Sequence, residues 1–379
     1  MPAANDSAPG PDDDGFVYDE FAYFDENCSE YGIERPAGLV VARRGFVLND
    51  GRILSSLRWG TAPCELVLLH GGAQNSHTWD TVLLALDRQA LAIDLPGHGY
   101  SDRRPDGWYD PPHNADAVIA ALDEAVAEGS LAAPVVLVGM SLGGLTATAV
   151  AARRPDLIRS LVVVDVTPGV NADKAKAIHD FIAGPQHFPS FTEIFDRTVE
   201  FNPTRTAASL RRGILHNAHR VADGPDAGSW EWNYDRRSMT EYEMPPMVDL
   251  WEDVGAVRCP YLLVRGGVSP VVDDDDVAEL LRRQPAATVV VVPDEVTFSS
   301  SPVTRSRMTN GTTITVARAT TISGPRRRGG GVARPRVDVD NGIMQWQAVG
   351  RTARRSPTSP RRGRPGRSPA ARRSLRPPR

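Results

Sequence analysis

Six short, almost unbroken apolar runs recur along the first three hundred residues: ELVLLHG, ALAIDLPG, PVVLVGM, SLVVVDV, YLLVRGG and TVVVVPD. Strands covered on both faces of a parallel sheet read this way, because neither face calls for polar side chains. Helix-like stretches such as NADAVIAALDEAVAEG and GLTATAVAARRP lie between the runs. Parallel neighbours need crossover connections, so the alternation predicts an α/β fold with a doubly wound, mostly parallel sheet. Ahead of it, RRGFVLND and RILSSLRW flank Asn49, Asp50 and Gly51 and predict an opening hairpin.

A chain of 379 residues accommodates one large domain with an insertion. Residues 1–38 read as an acidic, polar lead whose aromatics (Phe16, Tyr18, Phe21, Tyr23, Phe24) are suited to docking on the body. The core is expected over 39–294. From about 168 to 250 the strand rhythm stops, and a polar, aromatic stretch predicts a mostly helical cap insertion. Residues 295–379 form a basic Arg/Pro/Gly-rich tail whose composition favours disorder.

Charge divides the chain at the same place. Beyond residue 300 there are nineteen arginines, no lysine, and only Asp338 and Asp340 as acids, a net +17. The total of −4 leaves −21 for residues 1–300. Cys28, Cys64 and Cys259 are too few and too scattered for a disulfide framework or a thiolate metal site. No apolar run approaches the roughly 18 residues of a membrane span, and MPAANDSAPGPDDDG lacks the basic and apolar regions of a signal peptide. A cytoplasmic location is the expectation, without metal, cofactor or membrane partner.

Three loops could carry chemistry. In PVVLVGMSLGG, Ser141 stands between a buried run and a helix, flanked by Gly139 and Gly143. A G-x-S-x-G elbow needs glycines there because the turn that lifts the serine leaves no room for side chains. In ELVLLHGG, the backbone N–H of Gly72, with that of Leu142 just after the serine, would form an oxyanion hole. His70 reads as a turn residue holding this loop. In AIDLPGHGYSD, loop geometry accounts for His98 and Asp102 without a catalytic role.

Together LLHGG, DLPGHGYSD, VGMSLGG and LLVRGGVSP resemble the α/β-hydrolase family, in its lipase/esterase-like, capped branch. The resemblance spans about Glu65 to Pro293 and implies a Ser…acid…His triad in that order. Serine at position 141 argues against the aspartate-nucleophile chemistry of related dehalogenases and epoxide hydrolases. Ser269 stands where most relatives carry the acid, so Asp165, after SLVVVDV, is the choice over Asp273, whose neighbours Asp274–Asp276 suit a helix cap. The implied activity is hydrolysis of an ester or similar small carbonyl substrate through an acyl-enzyme.

The base is missing. The family places a histidine just after the last strand, but the sequence there reads EVTFSSSPVTRSRM, and no histidine follows His219. None of Val296 to Phe298 can serve. His70 and His98 lie on sheet-end loops, and His113, His179, His187, His216 and His219 in or near helices or the cap, so a rescue by one of them needs a rearranged site. The amphipathic helix that normally follows is missing too. Base, helix and ordinary composition end at one point, and a reading-frame shift in a GC-rich gene is the economical account. A catalytically inactive homologue that binds a small ligand is the alternative. A third reading, nonspecific nucleic-acid binding by the tail, is weaker: Trp346 is its only aromatic, and no specific nucleic-acid partner is expected.

Overall fold

The computed structural model describes residues 11–13, 15–171, 173–236 and 250–293, and the pairs 337–338 and 345–346. The core is an eight-stranded sheet. Its strands are β1 (Val41–Val47), β2 (Ile53–Trp59), β3 (Cys64–Leu69), β4 (Ala90–Ile93), β5 (Leu131–Met140), β6 (Ile158–Val164), β10 (Tyr261–Gly266) and β11 (Thr288–Val292). They lie in the order β1-β2-β4-β3-β5-β6-β10-β11. Only β2 runs against its neighbours; from β4 to β11 every pairing is parallel. The opening hairpin pairs Val47 with Ile53 around Gly51, whose φ of 84° suits a residue without Cβ.

The period of two sorts side chains between two hydrophobic clusters, one on each face. In β3, Val67 and Leu69 join one cluster, while Leu66 and Leu68 join the other. Leu91 and Ile93 likewise part from Ala90 and Ala92 in β4. On the first face pack α3 (Pro111–Ala127), α4 (Leu142–Arg153), α8 (Leu250–Ala256) and α9 (Asp274–Arg283). On the second pack α1 (Phe24–Tyr31) and α2 (Asp80–Leu86), the latter entered through a 3-10 turn at Ser76–Trp79. Both faces are covered, as the unbroken apolar runs require. Among the described residues no helix is long and apolar enough to cross a membrane.

The stretch after β6 holds α5 (Lys176–Ile182), α6 (Phe191–Phe201) and α7 (Ala207–Asn217). It also holds an antiparallel sheet of β7 (His187–Phe188), β8 (Ala218–Arg220) and β9 (Trp230–Trp232) that the sequence reading does not foresee. Phe188, Phe191, Trp230, Trp232 and Tyr234 are buried together as this unit's own core, so they are not free to line a substrate site.

The N-terminal lead straps the two parts together. Phe24 packs on Trp59 of the core, with ring centroids 5.2 Å apart. Phe16, Tyr18 and Tyr23 pack on the cluster of Phe188, Phe191, Trp230, Trp232 and Tyr234. The Asp12 carboxylate accepts the Phe191 N–H (2.7 Å) and the Trp230 indole N–H (2.9 Å). Glu30 at the end of α1 accepts from Thr206 and from the buried Arg212 of α7. The sequence assigns no element to this lead. Its helix FDENCSEY buries only Phe24, Asn27 and Cys28, too little for an amphipathic signal.

The basic tail lies outside the described residues except for one antiparallel pairing, Val337–Asp338 with Gln345–Trp346, which the composition does not anticipate. Val296 to Phe298, the expected place of the base, also lie outside them.

Candidate active site

At the C-terminal ends of β3, β5 and β6 three tight turns meet. β5 ends at Met140, and Ser141 takes φ 50°, ψ −122°, a backbone conformation that costs a residue with a Cβ on the order of 1–3 kcal/mol. The turn is held from both sides. Ser141 N–H donates to Val164 O (3.1 Å), and Ser141 O accepts the N–H of Gly144 (2.8 Å) and Leu145 (3.1 Å) as α4 begins. Both flanking glycines are required by space. A Cβ on Gly139 would stand 2.2 Å from Gly143 O, and one on Gly143 would stand 2.4 Å from both Leu69 O and His70 O. The N-terminus of α4, with its positive end of the peptide dipoles, thus sits directly beneath the serine.

The loop after β3 passes the serine closely: a Cβ on Gly71 would lie 3.3 Å from Ser141 Cβ. Gln74 anchors it by accepting the Gly71 N–H (3.0 Å), and Asn217 of α7 donates to Ala73 O (2.7 Å). Among the described residues neither Gly72 N–H nor Leu142 N–H meets an acceptor.

His70 and His98 brace this loop. His70 Nε2 faces the Leu95 N–H (2.9 Å) and Nδ1 faces Gly71 O (2.7 Å). An N–H can only donate and a carbonyl only accept, so the ring is neutral with its proton on Nδ1. His98 is arranged alike, Nε2 accepting from Ala73 N–H (3.2 Å) and Nδ1 donating to Pro96 O (3.0 Å). Burial pushes His70 down to about 3, aided by neighbouring His98, and burial lowers His98 as well. Folded values below the unfolded one mean that these rings stabilise the fold least in acid: the loss sets in as pH falls below about 6.5. Proton NMR should show the His70 ring untitrated from pH 8 down to 5 and the His98 ring titrating below the ordinary histidine midpoint, while unfolding free energy declines across the lower part of that range. A midpoint near 6.5 for either ring would contradict the geometry.

Asp165 follows β6 one strand over from Ser141. It is 2% exposed and, like the serine, takes φ 50°. Its Oδ1 accepts the Gly266 N–H (3.0 Å) and its Oδ2 accepts the Ser269 hydroxyl (2.9 Å). Ser269 Oγ in turn accepts the N–H of Val271 (3.2 Å) and Val272 (3.1 Å), so its own proton is directed to the carboxylate. Ser269, read from sequence only as the residue standing in an acid's usual place, is therefore Asp165's partner. Asp273 is occupied elsewhere. It caps α9 in a reciprocal capping box with Asp276 and pairs with Lys174 at 2.8 Å. Hydrogen bonding to Lys174, then to the Asp276 N–H, holds it at about 2.

Among the described residues no side chain hydrogen-bonds the Ser141 hydroxyl. His113 bonds Asp110 (2.8 Å), and His219 bonds Asn233 (2.6 Å). His77 and His216 stack on each other, centroids 3.9 Å apart, in a buried cluster with Asp80 that sequence spacing conceals. His77 is the one histidine the sequence reading passed over.

A model described as the alpha/beta hydrolase family matches residues 66–295, from β3 through the whole site described above. The chain belongs to the α/β hydrolase family. Within it, the chain is 42% identical over 268 residues to "Esterase Rv0045c" of Mycobacterium tuberculosis, covering 69% of this chain and 83% of that one. It is 30% identical over 231 residues to a 2-(acetamidomethylene)succinate hydrolase of Mesorhizobium japonicum, covering 59% and 78%. A solved structure of the M. tuberculosis esterase, described under transition metal inhibition and structural refinement, superposes with a TM-score of 0.64 at 40% identity, over 74% of this chain and 93% of that one. The doubly wound, mostly parallel sheet expected from the apolar runs, and the α/β hydrolase family expected from the loop motifs, are both found.

Proposed function

We propose that this chain is a serine hydrolase of esterase type in which nucleophile, acid and oxyanion donors stand ready but the base is lacking. The carrying observation is Ser141, strained to φ 50° between β5 and α4, with the Gly71–Gly72 loop against it. In this reading Ser141 attacks the carbonyl carbon of a small ester. The N–H groups of Gly72 and Leu142 receive the oxyanion, where one such donor is worth about 3–4 kcal/mol. Asp165, held by Gly266 and Ser269, is the group that would orient an imidazole. The esterase activity in the name of the M. tuberculosis relative and the amide-bearing substrate in that of the M. japonicum relative both fit a small carbonyl compound as substrate or ligand.

A second reading, a ligand-binding homologue without turnover, is favoured by one fact: no histidine follows His219. A fluorophosphonate probe separates the readings. The expected result is a single adduct on Ser141, forming at least about a thousandfold more slowly than on the M. tuberculosis esterase run beside it. No adduct on folded protein after exhaustive exposure, or an adduct elsewhere, overturns the assignment of Ser141. Labelling as fast as the relative's overturns the missing base.

A further inference from the structure

Beside the serine loop, where the 3-10 turn and α2 meet α7 of the cap, three buried side chains converge: His77 (7% exposed), Asp80 (2%) and His216 (6%). We propose that they form a binding site for a divalent transition-metal ion of the Zn²⁺ class, joining the cap to the core. One ligand atom from each lies within 4.8 Å of the others. His77 Nδ1 is 2.8 Å from Asp80 Oδ2, and His216 Nε2 is 3.9 Å from the same oxygen.

Two further observations point to a ligand. Asp80 Oδ1 and His216 Nε2 are buried and have no hydrogen-bond partner among the described residues. An orphaned buried polar atom is destabilising; a cation between these groups would satisfy His216 Nε2, and Asp80 Oδ1 as well when the carboxylate binds through both oxygens. The remaining ring nitrogens are also already engaged. His216 Nδ1 meets the Tyr18 hydroxyl at 2.6 Å, and His77 Nε2 meets Glu20 Oε2 at 3.3 Å. Metal-binding imidazoles are oriented in this manner by an outer hydroxyl or carboxylate on the nitrogen that faces away from the ion.

Charge and ligand type narrow the ion. Arg43 is the opposing group, with Nη2 3.5 Å from His77 Nε2, but its guanidinium is paired with both Glu20 and Asp94 (2.6 Å each). Arg212, the other guanidinium acting on His216, is paired with Glu26 and Glu30, so each arginine near the cluster is already matched by two carboxylates and Asp80 is left to a cation. Two imidazoles and one carboxylate favour Zn²⁺, Co²⁺ or Ni²⁺ over Mg²⁺ or Ca²⁺. A tetrahedral ion bonded at about 2.0–2.1 Å holds its ligands roughly 3.3 Å apart. The His77–Asp80 contact therefore opens slightly, His216 closes by a similar amount, and the two rings, now stacked at an interplanar angle of 10°, turn out of parallel so that both nitrogen lone pairs face the ion. Binding breaks the His77–Asp80 hydrogen bond, and the proton it carried leaves to solvent.

His216 stands at the end of α7, where its carbonyl accepts from Asn75 (2.8 Å), four residues past Gly71. An ion here would clamp the cap onto the loop that passes Ser141, without touching the serine. The site is independent of the proposed hydrolase chemistry, and its test reads no activity.

The test titrates the full chain with Co²⁺ and follows the visible d–d absorption, with thermal unfolding recorded in Zn²⁺, Co²⁺ and Mg²⁺. One equivalent of Co²⁺ should give tetrahedral-type bands, and Zn²⁺ should raise Tm by several degrees while Mg²⁺ leaves it unchanged. His77→Gln and His216→Gln should each weaken Co²⁺ binding by about 100-fold or more. Far-UV circular dichroism of each variant shows whether it is folded. Should one variant not fold, the other carries the comparison, and competition by Zn²⁺ for bound Co²⁺ in the parent chain gives a separate measure. Absence of bands and of a Tm shift in the parent chain overturns the proposal. So does one-equivalent binding undiminished in a folded variant, which would place the ion on exposed histidines such as His187 or His219.

Discussion

Replacing Ser141 by alanine lowers the hydrolysis of an activated ester by less than about tenfold in this chain. In a hydrolase with its triad complete, the same change costs on the order of 10⁶ in kcat, because serine and imidazole act as one unit. Once the base is gone, the serine proton has nowhere to go, and removing the hydroxyl as well costs little more. On the proposed reading, what remains is stabilisation of the oxyanion by the Gly72 and Leu142 N–H groups, together with binding, which would support a residual rate about 10³–10⁴ above water. The structure supplies the reason to expect so small an effect. No described side chain bonds the Ser141 hydroxyl, and His70 and His98 are committed through both ring nitrogens. Initial rates on p-nitrophenyl acetate, for the parent chain and Ser141→Ala, decide the matter. A fall of a hundredfold or more would mean that some other group deprotonates Ser141, and the idea of a missing base would be lost.

Gly139→Ala should cost at least about 3 kcal/mol of stability, the upper range for forcing an added methyl into packed structure. The new Cβ would meet Gly143 O at 2.2 Å, Gly143 C at 2.5 Å and Gly144 Cα at 2.7 Å. All three are backbone atoms of the first turn of α4, so no rotamer change can make room. The strand and the helix would have to separate, and α4 is buried along nearly its whole length between the sheet and its neighbouring helices. Gly72→Ala is the matched control, since its Cβ would find nothing within 4 Å. Urea midpoints should fall sharply for Gly139→Ala, or soluble yield should collapse, while Gly72→Ala stays within about 0.5 kcal/mol of the parent. Equal midpoints for the two variants would show that the elbow is looser than its contacts imply.

The central sheet was legible because each of its parallel strands is apolar on both faces, and a run such as SLVVV has few other uses. Ser141 was legible for a related reason: glycine on both sides of a serine, between strand and helix, answers a steric demand that the contacts of Gly139 and Gly143 make explicit. Other features left weaker traces. Strands β7, β8 and β9 have two or three residues each, too few for any period to appear. The bond from Ser269 to Asp165 joins residues far apart in sequence whose proximity follows only from β6 pairing with β10. The cluster of His77, Asp80 and His216 is hidden for the same cause, since it exists only once α7 is folded over the 3-10 turn. The break near residue 294 was plain from composition, and the family match ends there too, at 295.

The N-terminal strap bears on how a molecule reaches the serine. Asp12 bonds the cap at Phe191 and Trp230, Tyr18 bonds His216, and Glu30 bonds Arg212, while Phe24 between them is sunk against Trp59. A cap fastened at several points by a segment rooted in the core cannot swing aside on two hinges. Parting this unit from the core means breaking these half-buried bonds together, an event of the kind that belongs to local unfolding, on microseconds to seconds, and not to loop motion. Under the proposed hydrolase reading, guests small enough to pass between standing side chains would be spared that delay, and the strap would sort visitors by how long they must wait at the door.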